Sequence, residues 1–292
     1  MYWKDTQKKG DQMPTHPVPQ HAYQHLQRED RFFEGMYRQM IKWLALAEGS
    51  RVLDMGSGAG GVTLLLAEAV GRTGKVTALD REQSLLSVVH DHIAETPYAS
   101  CVTYQRADAQ RLPFEDSQFD LVWCSRVIHH LPDQLAAAGE IRRVLRPGGS
   151  IALREGGLPL RFLPFDLGLG TPGLEARLEE ASNRRFQEQV RGEEGFVPYH
   201  YGWVQCLRDA GFRNVGGKAF LLDVMPPFDE EVWNYLHAVL SHYRDEPELR
   251  ARLQEEDVHT LEQLTASPSP YALRHRNDLH LLAVSTIYTG MV

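Results

Sequence analysis

The sequence has few cysteines and no long apolar segment. Its three cysteines, Cys101, Cys124 and Cys206, form no CxxC pair, so the sequence does not predict a structural zinc site. No stretch approaches the roughly 20 apolar residues that a membrane helix needs. The first residues, MYWKDTQKKGDQMP, also lack the apolar core of a signal peptide. We therefore expect a cytoplasmic protein that does not interact with membranes.

Basic residues are outnumbered by acidic ones, with 31 Lys and Arg against 39 Asp and Glu. The formal net charge is −8 at pH 7, and the short basic run Lys8-Lys9 is too small to provide a nucleic-acid surface. The acidic clusters at 229–231 and 255–257 lack the histidine spacing of a metal site and are typical of solvated helical faces. We expect neither a nucleic-acid partner nor a bound metal.

The N-terminal part of the chain changes character after about 20 residues. Residues 1–20 are polar and contain Pro14, Pro17 and Pro19, which predicts a flexible arm. In residues 21–47 apolar side chains recur at helical spacing, which predicts one or two cap helices. The length of the chain is compatible with one large domain over residues 21–292.

Strands and helices alternate from residue 51 onward. The predicted strands are 51–54, 75–80, 102–106, 119–124 and 150–154, and the predicted helices are 62–70, 84–95 and 134–145. Pro147-Gly148-Gly149 is expected to end the last of these helices. This alternation predicts parallel strands joined by crossover helices, and therefore a doubly wound α/β sheet.

The alternation stops after Arg154. Helices are predicted at 174–190 and 201–210, and a hairpin is predicted from strands 218–224 and 279–288. Residues 156–200 and 226–270 then read as insertions, and we expect them to form a helical lid over a bound molecule. The hairpin and the N-terminal helices are the elements through which we would expect a homodimer to form.

A glycine loop lies between the first strand and the next helix. Gly56, Gly58 and Gly61 satisfy the G-x-G-x-x-G pattern, in which glycines permit a tight turn and a close approach to a ligand. The pattern alone does not choose between a dinucleotide and S-adenosylmethionine (SAM).

Acidic residues at the ends of three strands favour SAM. Asp54 would repel a pyrophosphate, whereas it suits the sulfonium and ammonium of SAM; the alternative is that it caps the turn. Asp80 follows Gly58 by 22 residues, close to the spacing of about 20 at which an acid binds ribose hydroxyls. Asp108 is a candidate acceptor for the adenine amino group, or else an ordinary loop aspartate.

Several ordered motifs together resemble the class I SAM-dependent methyltransferase family. They are VLDMGSGAG at 52–60, the acid at 80, ADA at 107–109, FDLVW at 119–123, HHLP at 129–132 and LRPGG at 145–149. The resemblance covers about residues 40–155. It is closest to the small-molecule members related to ubiquinone and menaquinone methyltransferases.

This resemblance implies a Rossmann-like, seven-stranded, mostly parallel sheet with helices on both faces and one antiparallel strand. It also implies SAM as the cofactor. The implied contacts are Asp54, Gly56, Ser57 and Gly58 at the methionine end, Asp80 at the ribose, Asp108 and Ala109 at the adenine, and Ser125 after the fourth strand. Arg81 is placed against the adenine face or on the surface.

Histidines near the carboxyl ends of the strands are candidate general bases. His129 and His130 follow the fourth strand, although the same turn would also serve to pack the junction. His200 is a further candidate. Arg154 and Glu155 would orient the acceptor or form an internal ion pair.

An aromatic group surrounds the third candidate histidine. Tyr199, Tyr201 and Trp203 precede or begin a predicted helix, where they would form the walls of an acceptor pocket or pack the helix start.

We therefore expect methyl transfer to a small or medium-sized acceptor, most simply a hydroxyl of a natural product or secondary metabolite. Positioning of the reactants supplies much of such catalysis, and a histidine base suits a hydroxyl. Carbon or nitrogen methylation and a non-methylating SAM-binding relative, such as a cyclase or regulator, remain alternatives. A nicotinamide-dependent dehydrogenase is opposed by Asp54 and by the lack of a suitably placed Tyr-x-x-x-Lys pair.

Overall fold

The computed structural model describes residues 20–192 and 195–292. The helices in these ranges are α1 Gln20–Leu44, α2 Gly61–Val70, α3 Gln83–Ala94, α4 Gln134–Val144, α5 Leu174–Arg191, α6 Trp203–Asp209, α7 Glu230–Asp245, α8 Pro247–Arg250 and α9 Glu255–Thr265. The strands are β1 Arg51–Met55, β2 Lys75–Asp80, β3 Val102–Arg106, β4 Phe119–Ser125, β5 Leu145–Arg161, β6 Arg213–Val224 and β7 Leu281–Met291. The arm predicted at 1–20 lies outside the described residues, except for Gln20, which begins α1.

The strands of the described ranges form one seven-stranded sheet in the order β3-β2-β1-β4-β5-β7-β6. The pairs β1·β2, β1·β4, β2·β3 and β4·β5 are parallel. Along β5 and β7 the residue numbers run in opposite directions, because Val292 bonds Gly149 while Val284 lies against Gly157. The predicted fold, a mostly parallel sheet with one antiparallel strand, is confirmed.

Side-chain alternation along β1 directs its residues to two helical layers. Leu53 and Met55 pack in a buried cluster with Ile141 of α4 and Leu207 of α6. Asp54 points to the opposite face, where Thr63 of α2 bonds it. Helices therefore cover both faces, and the carboxyl ends of the central strands meet the start of α2.

The described chain divides into two compact units. The first contains residues 20–155, 199–218 and 287–292, and the second contains 156–198 and 219–286. The second unit includes α5, α7, α8 and α9, and most of the two predicted insertions falls within it. Their function as a lid stays a prediction.

The fifth strand is longer than the sequence predicts. Pro147-Gly148-Gly149 does not mark the end of a helix: α4 ends at Val144 and β5 begins directly, with an irregular register before Ser150. Gly157 continues the strand because its φ of 115° and missing side chain permit close packing; a Cβ there would lie 2.0 Å from the Val284 carbonyl oxygen. Across the described ranges, we find no helix with the length and apolar character to cross a membrane.

Candidate active site

The glycine loop is tied to the end of β2 by its backbone. The amides of Gly56 and Ser57 donate to the Leu79 carbonyl at 2.8 and 3.0 Å. Gly56 has a φ of 79°, and a Cβ at this position would lie 2.2 Å from Val127, so only glycine fits the turn. The Ser57 hydroxyl is buried and has no hydrogen-bond partner among the described residues. Such a buried hydroxyl is suited to a bound polar molecule.

Asp54 lies at the carboxyl end of β1 and is 2% exposed. One of its carboxylate oxygens accepts a hydrogen bond from the Thr63 hydroxyl at 2.6 Å. Burial raises the pKa of Asp54 to about 7. The hydrogen bond from Thr63 lowers this pKa, and the negative charges of Asp30 and Asp80 raise it further. A cation beside this group would favour its charged form.

Asp80 lies across the glycine loop at the end of β2. Its two carboxylate oxygens accept the backbone N–H groups of Gly58 at 3.1 Å and Glu82 at 3.0 Å. Burial raises its pKa to about 6 despite these two bonds. Because each carboxylate oxygen accepts more than one hydrogen bond, Asp80 retains capacity for ligand hydroxyls.

The residues predicted to contact adenine lie next to this strand end. The amide of Ala107 donates to the Asp80 carbonyl at 3.1 Å, which places Asp108 and the buried Ala109 nearby. Asp108 Oδ1 accepts the Gln110 amide at 2.8 Å, so this carboxylate also stabilises its own loop. The adenine contact stays a prediction.

Arg81 is half-buried directly after Asp80. Its Nε lies 3.3 Å from Glu82, and its carbonyl accepts a bond from Arg106 at 3.0 Å. The position is compatible with either of its two predicted locations, the adenine face and the surface.

A second group of polar residues occupies the ends of β4 and β5. The Arg154 guanidinium is 6% exposed, donates to the Ser125 hydroxyl at 3.0 Å and lies 5.0 Å above the ring centre of Tyr37. Glu155 is 3% exposed and contacts His129. The two neighbours on β5 thus contact different partners, Ser125 and His129.

His129 and Glu155 form a close pair. His129 Nδ1 lies 2.7 Å from Glu155 Oε2, while Glu155 Oε1 is buried and has no hydrogen-bond partner in the described part of the chain. With Glu155 ionised, Nδ1 is the donor and Nε2 of the neutral ring is left as an acceptor. The pair therefore has the arrangement of a base held by a carboxylate.

His130 differs from its neighbour in basicity. The two imidazole rings are 4.0 Å apart, and both follow β4 in a short 3₁₀ turn, Ile128–His130. Burial lowers the pKa of His130 to about 3, and electrostatic interactions with the neighbouring His129 and Arg126 contribute. A group of this pKa is a weak base near neutral pH.

His200 is exposed in the segment before α6. Its neighbour Tyr199 donates to Asp209 of α6 at 2.6 Å and packs against Tyr201 with ring centres 5.8 Å apart. These contacts connect the segment to the last residue of α6. A function for His200 as a base stays a prediction.

Two acidic residues of α1 reach the site without having been singled out from the sequence. Glu29 pairs with Arg126 at 2.5 Å, and Asp30 accepts the Gly61 amide at 3.0 Å. Burial alone would raise the pKa of Glu29, but Arg126, Arg154 and His25 outweigh it and the pKa is lowered. In the sequence these two residues are visible only as adjacent acids. Nothing next to them indicates that Asp30 has a partner 31 residues away and Glu29 a partner 97 residues away.

Comparison with known proteins gives a family match that lies within the first of the two units. Residues 53–153 match the methyltransferase domain family. A 2-phytyl-1,4-naphtoquinone methyltransferase of Synechococcus elongatus is 39% identical over 118 residues, which are 40% of this chain and 51% of that protein. Residues 53–153 are thus similar to a methyltransferase domain. The resemblance noted in the sequence is thereby confirmed.

Other relatives agree with this methyltransferase domain. A demethylmenaquinone methyltransferase of Staphylococcus aureus is 35% identical over 122 residues, which are 42% of this chain and 49% of that protein. The solved phosphoethanolamine N-methyltransferase 2 of Haemonchus contortus has a TM-score of 0.53 and 18% identity, covering 94% of this chain and 58% of that one. At this identity the likeness concerns the fold.

The methyltransferase domain accounts for only part of the chain. The chain spans about half the length of the curated relatives it matches, and the family match ends at residue 153, just before the second unit begins at 156. Within residues 20–192 and 195–292, no group of three or more histidine, cysteine, aspartate or glutamate side chains is arranged to hold a metal ion.

Proposed function

We propose that the chain binds SAM and transfers its methyl group to a hydroxyl of a small or medium-sized natural product. The observation that carries this proposal is the His129–Glu155 pair at the carboxyl ends of β4 and β5, 2.7 Å apart. Ligands bind in the crevice at these ends in doubly wound sheets.

The cofactor loop fits SAM by its chemistry. The Ser57 hydroxyl is buried without a partner among the described residues, and burial raises the pKa values of Asp54 and Asp80. When bound, SAM supplies an electrophilic methyl group on a sulfonium, together with an ammonium that carries a second positive charge. Carboxylates beside such a cation are stabilised in their charged form. A dinucleotide pyrophosphate would place negative charge against the same carboxylates.

The acceptor end of the site supports proton removal. His129 can accept a proton at Nε2 while Glu155 holds Nδ1 and stabilises the imidazolium that forms. His130 is disfavoured as the base because its pKa is about 3. Glu155 is thus the positioning residue, and its Oε1, which has no hydrogen-bond partner among the described residues, is available to a donor on the acceptor.

The family match ends at residue 153, before the second unit, residues 156–198 and 219–286. The relatives that act on quinones match only 118 to 122 residues of this chain, so their acceptor is not carried over to it. We propose that the residues of the second unit, which contain most of the two predicted insertions, select the acceptor.

Calorimetric titration with SAM, S-adenosylhomocysteine and NAD tests the cofactor. We expect binding of the two sulfur compounds and no binding of NAD. Binding of NAD alone would show that the loop at Gly56 to Gly61 holds a dinucleotide, and the proposal would be wrong.

Transfer of radiolabelled methyl from SAM to a panel of phenols, hydroquinones, aliphatic alcohols and amines tests the acceptor. We expect labelled ethers, and a loss of roughly 10²- to 10⁴-fold in kcat for His129→Ala. Glu155→Gln should lower kcat as well. The control His259→Ala should leave kcat unchanged, because the His259 side chain is 63% exposed. Labelling of amines alone, or full activity of His129→Ala on hydroxyls, would contradict the proposed base.

A further inference from the structure

Asp30 of α1 is packed against the first turn of α2. Its Oδ2 accepts the Gly61 amide at 3.0 Å. A Cβ on Gly61 would lie 2.7 Å from the Asp30 Cβ, so the absence of a side chain at 61 is what allows this approach. The N-cap residue of α2, Gly60, supplies no side-chain cap. Asp30 therefore brings a carboxylate to the cofactor loop from outside the family match, which begins at residue 53.

A second carboxylate is held by the same helical turn. Thr63, two residues after Gly61, donates its hydroxyl to Asp54 at 2.6 Å. A helix N-terminus carries the equivalent of about half a positive charge, which compensates less than one carboxylate. Two carboxylates at one helix start thus leave an excess of negative charge, and a cationic group bound between them would balance it.

An independent observation in the loop points to a ligand. Ser57, between Asp54 and Gly61 in sequence, is 8% exposed, and its hydroxyl has no partner among the described residues. Unsatisfied buried hydroxyls are uncommon in folded proteins and are generally matched by a bound molecule or ordered water. The titration behaviour is consistent, because burial raises the pKa of Asp30 to about 7 and Asp30 in turn raises that of Asp54.

We propose that Asp30 is a cofactor-binding residue that, together with Asp54, holds the ammonium group at the methionine end of SAM. The inference rests on the proposed function. It assigns to α1 a direct contribution to cofactor affinity and makes the cofactor site incomplete without a residue from the N-terminal helix.

The competing explanation is that Asp30 only caps α2. The two explanations separate in Asp30→Asn and Asp30→Ser, which keep an oxygen acceptor for the Gly61 amide but carry no charge. The probes are S-adenosylhomocysteine, which carries the ammonium, and 5′-methylthioadenosine, which lacks the whole amino-acid portion. Circular dichroism and thermal unfolding establish that each variant folds.

We expect both variants to bind S-adenosylhomocysteine about 10- to 150-fold more weakly than the unsubstituted chain, the usual range for a lost charged hydrogen bond. Their affinity for 5′-methylthioadenosine should stay within about twofold. Asp30→Glu, which keeps the charge, should bind the homocysteine compound more tightly than Asp30→Asn. The matched control is Glu34→Gln, one turn further along α1, where the side chain is 48% exposed; this variant should bind both probes normally.

Unchanged binding of S-adenosylhomocysteine by Asp30→Asn or Asp30→Ser would overturn the assignment. Equal weakening for both probes would also overturn it, because a purely structural defect affects the adenosine portion as well. If the unsubstituted chain binds neither probe nor SAM, the proposed function is wrong and the inference is wrong with it. If the unsubstituted chain and the Asp30 variants all bind S-adenosylhomocysteine normally, only the inference is wrong.

Discussion

Replacing Asp54 by asparagine should change stability and cofactor binding in opposite directions. Asp54 is 2% exposed and accepts a bond from Thr63 at 2.6 Å. Asparagine keeps an acceptor for this hydroxyl but has no charge to bury. We therefore expect Asp54→Asn to be more stable than the unsubstituted chain without ligand, and to bind SAM more weakly because the charge that faces the cation is lost.

The pH dependence follows from the raised pKa of this carboxyl, from 3.8 to about 7. Below pH 3.8 both the folded and unfolded states hold the proton. Between pH 3.8 and 7 only the folded state does, so the stability of the unsubstituted chain decreases as pH rises through this window and levels off above it. At about 1.36 kcal/mol per pH unit, the advantage of Asp54→Asn should grow by about 2 kcal/mol between pH 5.5 and 7.5.

Urea denaturation without ligand at pH 5.5 and 7.5 measures the first effect, and calorimetry with SAM at pH 7.5 measures the second. Asp91→Asn is the matched control, since its carboxyl is 83% exposed on α3 and should show neither effect. An advantage that does not change with pH would refute the cost assigned to the buried charge. An unchanged affinity for SAM would refute the assignment of Asp54 to the cofactor.

Three further substitutions test particular contacts. Gly56→Ala should lower the free energy of unfolding by about 1–3 kcal/mol, measured in urea, and should abolish SAM binding, because φ is 79° and a Cβ would lie 2.2 Å from Val127. Asp133→Ala removes the N-cap of α4 and should cost about 1 kcal/mol, with normal SAM binding by calorimetry. Arg177→Met leaves Asp257, which is 3% exposed, without its guanidinium; denaturation should show a loss of about 3–5 kcal/mol.

The sheet could be predicted because its signals are local. Most of the parallel strands are short apolar runs, and helices follow β1, β2 and β4 within a few residues, so the alternation is visible in the chain itself. Asp54 and Asp80 were predicted for the same reason, since position at a strand end places a carboxylate at the crevice. The predicted length of β5 was wrong. Gly157 is typical of the start of a loop, and its packing against Val284 is a contact between segments that are distant in the sequence.

The composition of the candidate site was only partly predictable. His129 and Glu155 were singled out separately, but their pairing depends on the adjacency of β4 and β5, and the position of Glu155 beside Arg154 suggested an internal ion pair instead. Asp30 and Glu29 are adjacent acidic residues, but nothing next to them in the sequence indicates their partners. The partner of Asp30 depends on the packing of α1 against α2, and that of Glu29 on the position of α1 beside Arg126, which follows β4.

The pairing of Val292 with β5 has a consequence for the time course of synthesis. Val292 exchanges hydrogen bonds with Gly148 and Gly149, and residues 287–292 belong to the first unit. At 5–20 residues per second, a ribosome produces Val292 roughly 7–27 s after Glu155. Throughout this interval the β7-facing side of β5 has no strand partner, a state in which nascent sheets are prone to aggregate. The edge of β5 is therefore expected to stay unpaired until β7 and Val292 have been synthesised.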